Sequence, residues 1–258
     1  MRNLRMVLGA PIDALSWEEA IQRITGWAAL RQSRYVCLCN VHSVVTASRD
    51  TEFMAALRGA ELCAPDGAPV AWALRWQGIP AQQRINGPDL MWKYLSAAEH
   101  LGQKVFFYGS SDATLTALRA ILAERFPHLA IAGMHAPPFR PLTDDEQQRE
   151  IERLNQSGAG LIFIGLGCPK QEKWMAAHHH RIRAVLVGVG AAFDYHAGTL
   201  KRAPTWMQHH GLEWLYRLAK EPRRLFGRYA ITNTLFIAGI CRQMLRQAGT
   251  PRHTDEGH

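Results

Sequence analysis

The stretch "GLIFIGLGCPKQEKWMAAHHHRIRAVLVGVG", residues 160–190, decides the fold. Its two ends, "GLIFIGLG" and "AVLVGVG", are short and apolar throughout, as strands are when both faces of a sheet are covered. Between them "KQEKWMAAHHHRI" reads as a helix. A strand, a helix and a second buried strand predict a parallel pair joined by a crossover. Upstream the same alternation recurs. "RYVCLCN" (34–40) is another buried strand, preceded by a helix that Ser16 and Glu19 open at capping-box spacing, with Trp17, Ile21, Ile24 and Trp27 on one face. "KVFFYG" (104–109) reads as a strand, "DATLTALRAILAERF" (112–126) as a helix and "LAIAG" (129–133) as a strand, and Thr143-Asp144-Asp145-Glu146 caps a helix reaching about Asn155. The expected fold is α/β, a Rossmann-like, doubly wound, mainly parallel sheet.

Ligands of such sheets sit beyond the carboxyl ends of the strands. Asn40, Asp66, Gly109-Ser110-Ser111, Gly165-Leu166-Gly167-Cys168-Pro169 and Gly188-Val189-Gly190 each follow an apolar run and are expected along one rim. Any one of these loops reads as a tight turn. Together they suggest an anionic, phosphate-containing ligand held by backbone N–H groups. No standard nucleotide fingerprint is met: "GVGAAF" places Phe193 where a dinucleotide motif needs a small residue, and no G-x-x-x-x-G-K-[ST] occurs. Asp66 stands out within "ELCAPDGAPVAWAL" (61–74), because a carboxylate between two apolar segments costs desolvation unless it is exposed, paired or used.

With 258 residues, 47% of them hydrophobic, and a mean hydropathy of -0.18, the chain has the totals of a globular rather than a multi-span membrane protein. "MRNLRMVLGAPID" meets Pro11 and Asp13 before an apolar signal core forms, so the chain is expected to stay inside the cell. Five cysteines in no zinc spacing suit reduced thiols, and His178-His179-His180 suit a solvated surface better than a metal site. No metal or cofactor is expected. Residues 201–258 carry ten basic and four acidic side chains, a net +6 out of the chain's +8. That local basicity points to an anionic partner. Trp206, Leu212, Trp214, Leu215 and Leu218 form an apolar helix surface that Pro222 interrupts. The uncharged stretch Tyr229–Cys241 is too short to span a bilayer, and arginines flank it on both sides. The pattern suits a helix lying in an anionic interface, or one docked on the core or on a second subunit.

Seven stretches, "NVHSVV", "APDGAPV", "RINGPDLM", "FYGSS", "IGLGCPKQEKW", "GVGAAFDYHAG" and "KRAPTWMQHHGLEWLYRLAKEPRRLFGRY", occur in this order. Together they resemble the WecG/TagA/CpsF family of bacterial glycosyltransferases, in the branch that builds extracellular polysaccharide, from about residue 5 to residue 245. The resemblance implies an inverting, metal-independent enzyme that moves a sugar from a UDP-sugar to a saccharide on undecaprenyl diphosphate. Glucose is the first expectation for that sugar, with N-acetylmannosamine or its uronic acid next. The resemblance also implies a peripheral place on the cytoplasmic face of the membrane and a C-terminal appendage that docks there and completes the site. The division expected is a core of residues 1–203 and a basic helical appendage of residues 204–258. Homo-oligomerisation is left open, and no nucleic-acid partner is expected.

By position in these motifs, Asp66 matches the family's general base, Asn40 a residue near donor or acceptor sugar, Arg84 a diphosphate-binding cation and Gln171 a residue needed for activity. Asp194 is placed to receive hydroxyls of ribose or sugar. Arg217, Arg224 and Arg228 are placed to meet charge on the leaving UDP or the acceptor diphosphate. Gly109, Ser110, Gly165, Gly167, Lys170, Gly188 and Gly190 complete the expected substrate-binding set. Plain alternatives stand beside these roles: Asp66 as a helix cap, Asn40 as an Asx turn, Arg84 in a surface salt bridge. Many relatives carry a Thr just before the Asn, whereas Val36-Cys37-Leu38-Cys39 offers no hydroxyl. The rival functions are a non-catalytic binder of anionic membrane or nucleic acid, and another nucleotide-dependent enzyme such as a dehydrogenase.

Overall fold

The computed structural model describes residues 2–248, apart from the side chains of residues 209, 224, 228, 247 and 248. The chain opens with an antiparallel hairpin of β1 (Leu4–Val7) and β2 (Ala10–Asp13). Leu8 and Gly9 both hold positive φ, 50° and 85°, the backbone of a two-residue hairpin turn. This hairpin was not among the expected elements. Buried Asp13 fastens it, accepting from Arg2 at 2.9 and 2.7 Å and from the backbone N–H of Cys63 at 2.7 Å.

Six strands form the main sheet: β3 (Arg34–Cys39), β4 (Leu62–Pro65), β5 (Val105–Gly109), β6 (Ile131–His135), β7 (Leu161–Gly165) and β8 (Val185–Gly188). Their order is β4-β3-β8-β7-β5-β6, and every pairing is parallel. All six carboxyl ends therefore lie along one edge, as the alternation of elements predicts. Successive side chains point to opposite faces. Cys37, Cys39, Ile162, Ile164 and Leu186 enter one core, and Val36, Leu38, Leu161, Phe163, Val185 and Val187 enter the other.

Helices α1 (Trp17–Ala29), α5 (Gly87–Leu101), α6 (Asp112–Arg125) and α9 (Ala192–His196) cover the second face. The first face is covered by α2 (Val41–Ala47), α3 (Thr51–Gly59), α4 (Ala68–Trp76), α7 (Asp144–Gln156) and α8 (Lys170–His178). Both capping boxes form, Ser16 with Glu19 and Thr143 with Glu146. Of the histidine triplet, His180 is exposed as expected, whereas His178 and His179 are half-buried. His178 stacks on Trp174 with ring centroids 4.9 Å apart, and His179 lies 4.8 Å from the Tyr35 ring.

After residue 203 come α10 (Thr205–His209), α11 (Glu213–Lys220) and α12 (Pro222–Ala248). The apolar run expected as one helix surface is broken at Gly211, whose φ of 71° suits glycine. A Cβ there would lie 2.7 Å from that of Ala68. Pro222 begins α12, a position where its missing N–H costs nothing. Phe236 and Ile240 of α12 are buried in the first core, and Gln243 bonds the hairpin through Leu8 N (3.1 Å) and Met6 O (2.7 Å). Among the described residues no helix is long and apolar enough to cross a membrane.

Candidate active site

A cavity of about 760 Å³ opens beyond the carboxyl ends of β3, β4 and β8 and extends between α4 and α12. Asn40, Asp66, Arg84, Gly167, Gln171, Gly188, Gly190 and Arg217 line it, so eight of the expected residues meet in one place.

Asp66 stands where β4 ends. Its backbone N–H is held by Cys39 O at 3.0 Å, and Pro65 O receives the N–H of Ile85 at 2.8 Å, which brings the Arg84 loop alongside. Gly67, at φ 87°, turns the chain into α4 and is itself the N-cap residue, with no side-chain cap bond. Asp66 is thus not the cap of that helix, and its carboxylate faces the cavity. Burial against the cavity wall pushes its pKa up to about 6. The nearby Arg84 pulls down, Glu213 pushes further up, and the Asn40 bond and Arg217 oppose the rise. Some surface stays open to the cavity, so the group is shielded from bulk water while remaining reachable.

Asn40 does two things at once. Its Oδ1 caps α2, accepting from Ser43 N at 3.1 Å and Ser43 Oγ at 3.3 Å, which turns Nδ2 toward Asp66 Oδ2 at 3.5 Å. The cap therefore fixes the amide orientation that Asp66 meets. Arg84 donates to Glu213 Oε2 of α11 at 2.9 Å, and both partners are largely shielded. Glu213 Oε1 also lies 3.7 Å from Arg202 Nε, and Arg202 continues to Asp89 Oδ2 at 3.0 Å and Asn86 Oδ1 at 3.2 Å. A chain of alternating charge thus ties the segment after residue 200 to the "RINGPDL" loop. Arg217 lies over the Tyr195 ring at 6.0 Å, and its Nε is buried without a hydrogen-bond partner among the described residues.

Gln171 is buried and works through the loop after β8: its Oε1 accepts from Gly190 N at 3.2 Å, and its Nε2 donates to Glu172 Oε1 at 2.8 Å. The Gly190 N–H, expected as an anion donor, is occupied by that bond. Glu172 was not among the expected residues. It is 1% exposed, its pKa is pushed up to about 6 chiefly by burial, and its Oε2 has no hydrogen-bond partner among the described residues. A buried carboxylate is costly unless it has work, here the orientation of the Gln171 amide. Its signal in the sequence, a second acid-amide side chain directly after Gln171 at a helix start, is too common to single out. Glu172→Gln removes the one-way polarity of this pair. It is expected to raise KM for the donor about tenfold with a smaller effect on kcat, since each misdirected buried polar group costs about 1–3 kcal/mol; steady-state kinetics check this.

The remaining expected residues lie outside the cavity lining. Ser110 Oγ and Thr114 Oγ1 both donate to Asp194 Oδ1 at 3.1 Å, and Ser110 N bonds Gly165 O at 3.0 Å, placing Gly109, Ser110, Gly165 and Asp194 in a second cluster along the same rim. Asp194 sits on α9 between cavity-lining Ala192 and Tyr195. Lys170, at the start of α8, is exposed and away from the cavity lining. The side chains of Arg224 and Arg228 lie outside the described residues.

A rim of loops, a shielded carboxylate and Arg217 from the C-terminal segment meet in one cavity, and a family comparison decides the matter. The model of the glycosyl transferase WecG/TagA/CpsF family matches residues 5–250. The chain belongs to this family. Similar proteins include an N-acetylglucosaminyldiphosphoundecaprenol N-acetyl-beta-D-mannosaminyltransferase of Bacillus spizizenii, 31% identical over 192 residues, covering 74% of this chain and 72% of the relative. A protein of the same name from Staphylococcus aureus is 27% identical over 222 residues, 85% of each chain. The family model thus covers nearly the whole length of this glycosyltransferase. The expectation of glucose finds no support among these relatives, whose names specify N-acetylmannosamine.

Proposed function

We propose that this glycosyltransferase moves an N-acetylmannosaminyl group from a UDP-sugar to a saccharide carried on undecaprenyl diphosphate, with inversion and without a metal. The observation that carries this reading is Asp66: a carboxylate with a pKa of about 6 in a cavity that is polar at one end (Asn40, Arg84, Arg217) and apolar at the other (Trp72, Phe236, Ile237). An acceptor with a sugar, a diphosphate and a hydrocarbon chain needs such a site. The acceptor oxygen bonds to the anomeric carbon as the bond from that carbon to the UDP oxygen breaks. The hydroxyl proton passes to Asp66, and UDP leaves with the electron pair. A base with a pKa near the working pH suits this transfer. Arg217 and Arg84 are placed to meet the charge that develops on the leaving diphosphate. The sequence has no D-x-D pair to hold a divalent ion, which leaves that charge to arginines.

The name of the Bacillus relative supports both the acceptor class and the sugar, and the basic C-terminal segment supports a peripheral place on the inner face of the membrane. Purified protein, N-acetylglucosamine on a polyprenyl diphosphate and a panel of labelled UDP-sugars, with a chelator present, should give one extended lipid product, with the N-acetylmannosamine donor preferred. The anomeric configuration of that product, read by NMR, tests inversion. Transfer from UDP-glucose alone would overturn the choice of sugar, and no transfer from any donor would overturn the reading.

A further inference from the structure

Ten of the fifteen large apolar side chains left exposed among the described residues lie on α4 and on α10–α12. Those on α4 are the unexpected ones, because α4 belongs to the sheet-covering core. Trp72 and Trp76 stand one helical turn apart on its outer side, 41% and 61% exposed, with exposed Arg75 between them. The opposite side of the same helix buries Val70, Ala73 and Leu74 in the first core. Both tryptophans line the site cavity, and Ile237 and Met244 of α12, 62% and 43% exposed, line it from across the mouth. A second groove of about 560 Å³ adjoins it, lined by Arg5, Trp76, Gln77, Gln243 and Met244. At its other end α4 meets the C-terminal segment, where the Trp72 ring lies beside the turn at Gly211.

We propose that α4 is the second lip of the membrane-docking surface: Trp72 and Trp76 enter the headgroup boundary of an anionic bilayer opposite α12, and the cavity opens into lipid between them. This rests on the lipid-linked acceptor of the proposed function and goes beyond it by assigning membrane contact to the core. Tryptophan, with an apolar ring and one N–H, favours that boundary. Arg75 on one lip and Arg242 and Arg246 on the other match an anionic surface in charge. Two lips rather than one also explain why the tryptophans are exposed at the mouth of a cavity instead of closed over it. The hydrocarbon chain of the acceptor then stays in lipid at the mouth while its sugar end reaches Asp66.

The test uses the full chain and vesicles of phosphatidylglycerol and phosphatidylcholine. Trp72→Ser/Trp76→Ser should lower the partition coefficient by cosedimentation at least tenfold, with the melting temperature unchanged. In the otherwise native chain, Trp76→Phe should remove part of the fluorescence that brominated phospholipid quenches. Unchanged partitioning of the double variant, or a Trp76 signal insensitive to bromine, overturns the proposal. So does light scattering that shows the variant breaking an oligomer while vesicle binding stays intact, since the face would then belong to a second copy. Transfer to the lipid acceptor is scored separately: vesicle binding lost without any transferase activity in the parent protein upholds docking and sinks the function, and the reverse result sinks docking alone.

Discussion

Asp66→Asn is expected to slow glycosyl transfer by about 10²–10⁴-fold at pH 7, the usual contribution of a positioned general base, while UDP still binds. The substitution keeps the shape of the side chain and its place beside Asn40 Nδ2. It removes only the ability to take a proton. The same change is expected to stabilise the fold at neutral pH. A carboxyl whose folded pKa of about 6 lies above its unfolded value of 3.8 holds its proton more tightly in the folded state. Its effect on stability is absent below pH 3.8, becomes a cost that grows between pH 3.8 and about 6, and is constant above, the reverse of a salt-bridged carboxylate. At about 1.4 kcal/mol per unit, relief of this cost is bounded at about 3 kcal/mol. Parent activity should rise with pH through a limb near 6, and the variant should melt higher than the parent at pH 7.5 but not at pH 4. A variant that turns over like the parent removes Asp66 as base; one that is slow yet no more stable at pH 7.5 means that the carboxylate is better solvated than its surroundings indicate.

What the sequence disclosed and what it hid divide along one line, the range of the interaction. Strands β3, β5, β7 and β8 and helices α1, α6, α7 and α8 declare themselves through apolar runs and caps contained within a few residues, and parallel order follows because crossovers leave little choice. The rim position of Asn40, Asp66 and Gln171 follows from that order. Asn40, read either as a turn former or as a site residue, caps α2 with one end of its amide and faces Asp66 in the cavity with the other. The ion pair of Arg84 with Glu213 joins residues 129 positions apart and left no local trace. Glu172 and the occupied N–H of Gly190 were hidden for the same reason, since each depends on how α8 meets the loop after β8. Trp72 and Trp76 lie in an apolar run that does not tell which way its side chains face. Only the orientation of α4 shows that they face out.

The chain cut after residue 203 is expected to lose both activity and a large part of its stability, because the segment beyond that point is packed into the core and carries part of the cavity wall. Leu225, Phe236 and Ile240 are 1%, 6% and 5% exposed, and burying each such side chain is worth about 1.5–3 kcal/mol. Removing the three leaves a deficit of about 5 kcal/mol or more, comparable to the whole stability of many domains. The cut also takes the Gln243 bonds from the hairpin, Glu213 from Arg84 and Arg217 from the cavity wall. Loss of vesicle binding by this fragment would therefore say little about membrane contact. Denaturant melts decide between the two views of the segment. A fragment that unfolds at the parent's midpoint with the parent's slope would show that residues 204–258 are a detachable appendage. A midpoint lowered toward zero denaturant would show that α12 is structural, and that Arg217, which the same segment brings to the cavity, is held there by contacts that also hold the sheet.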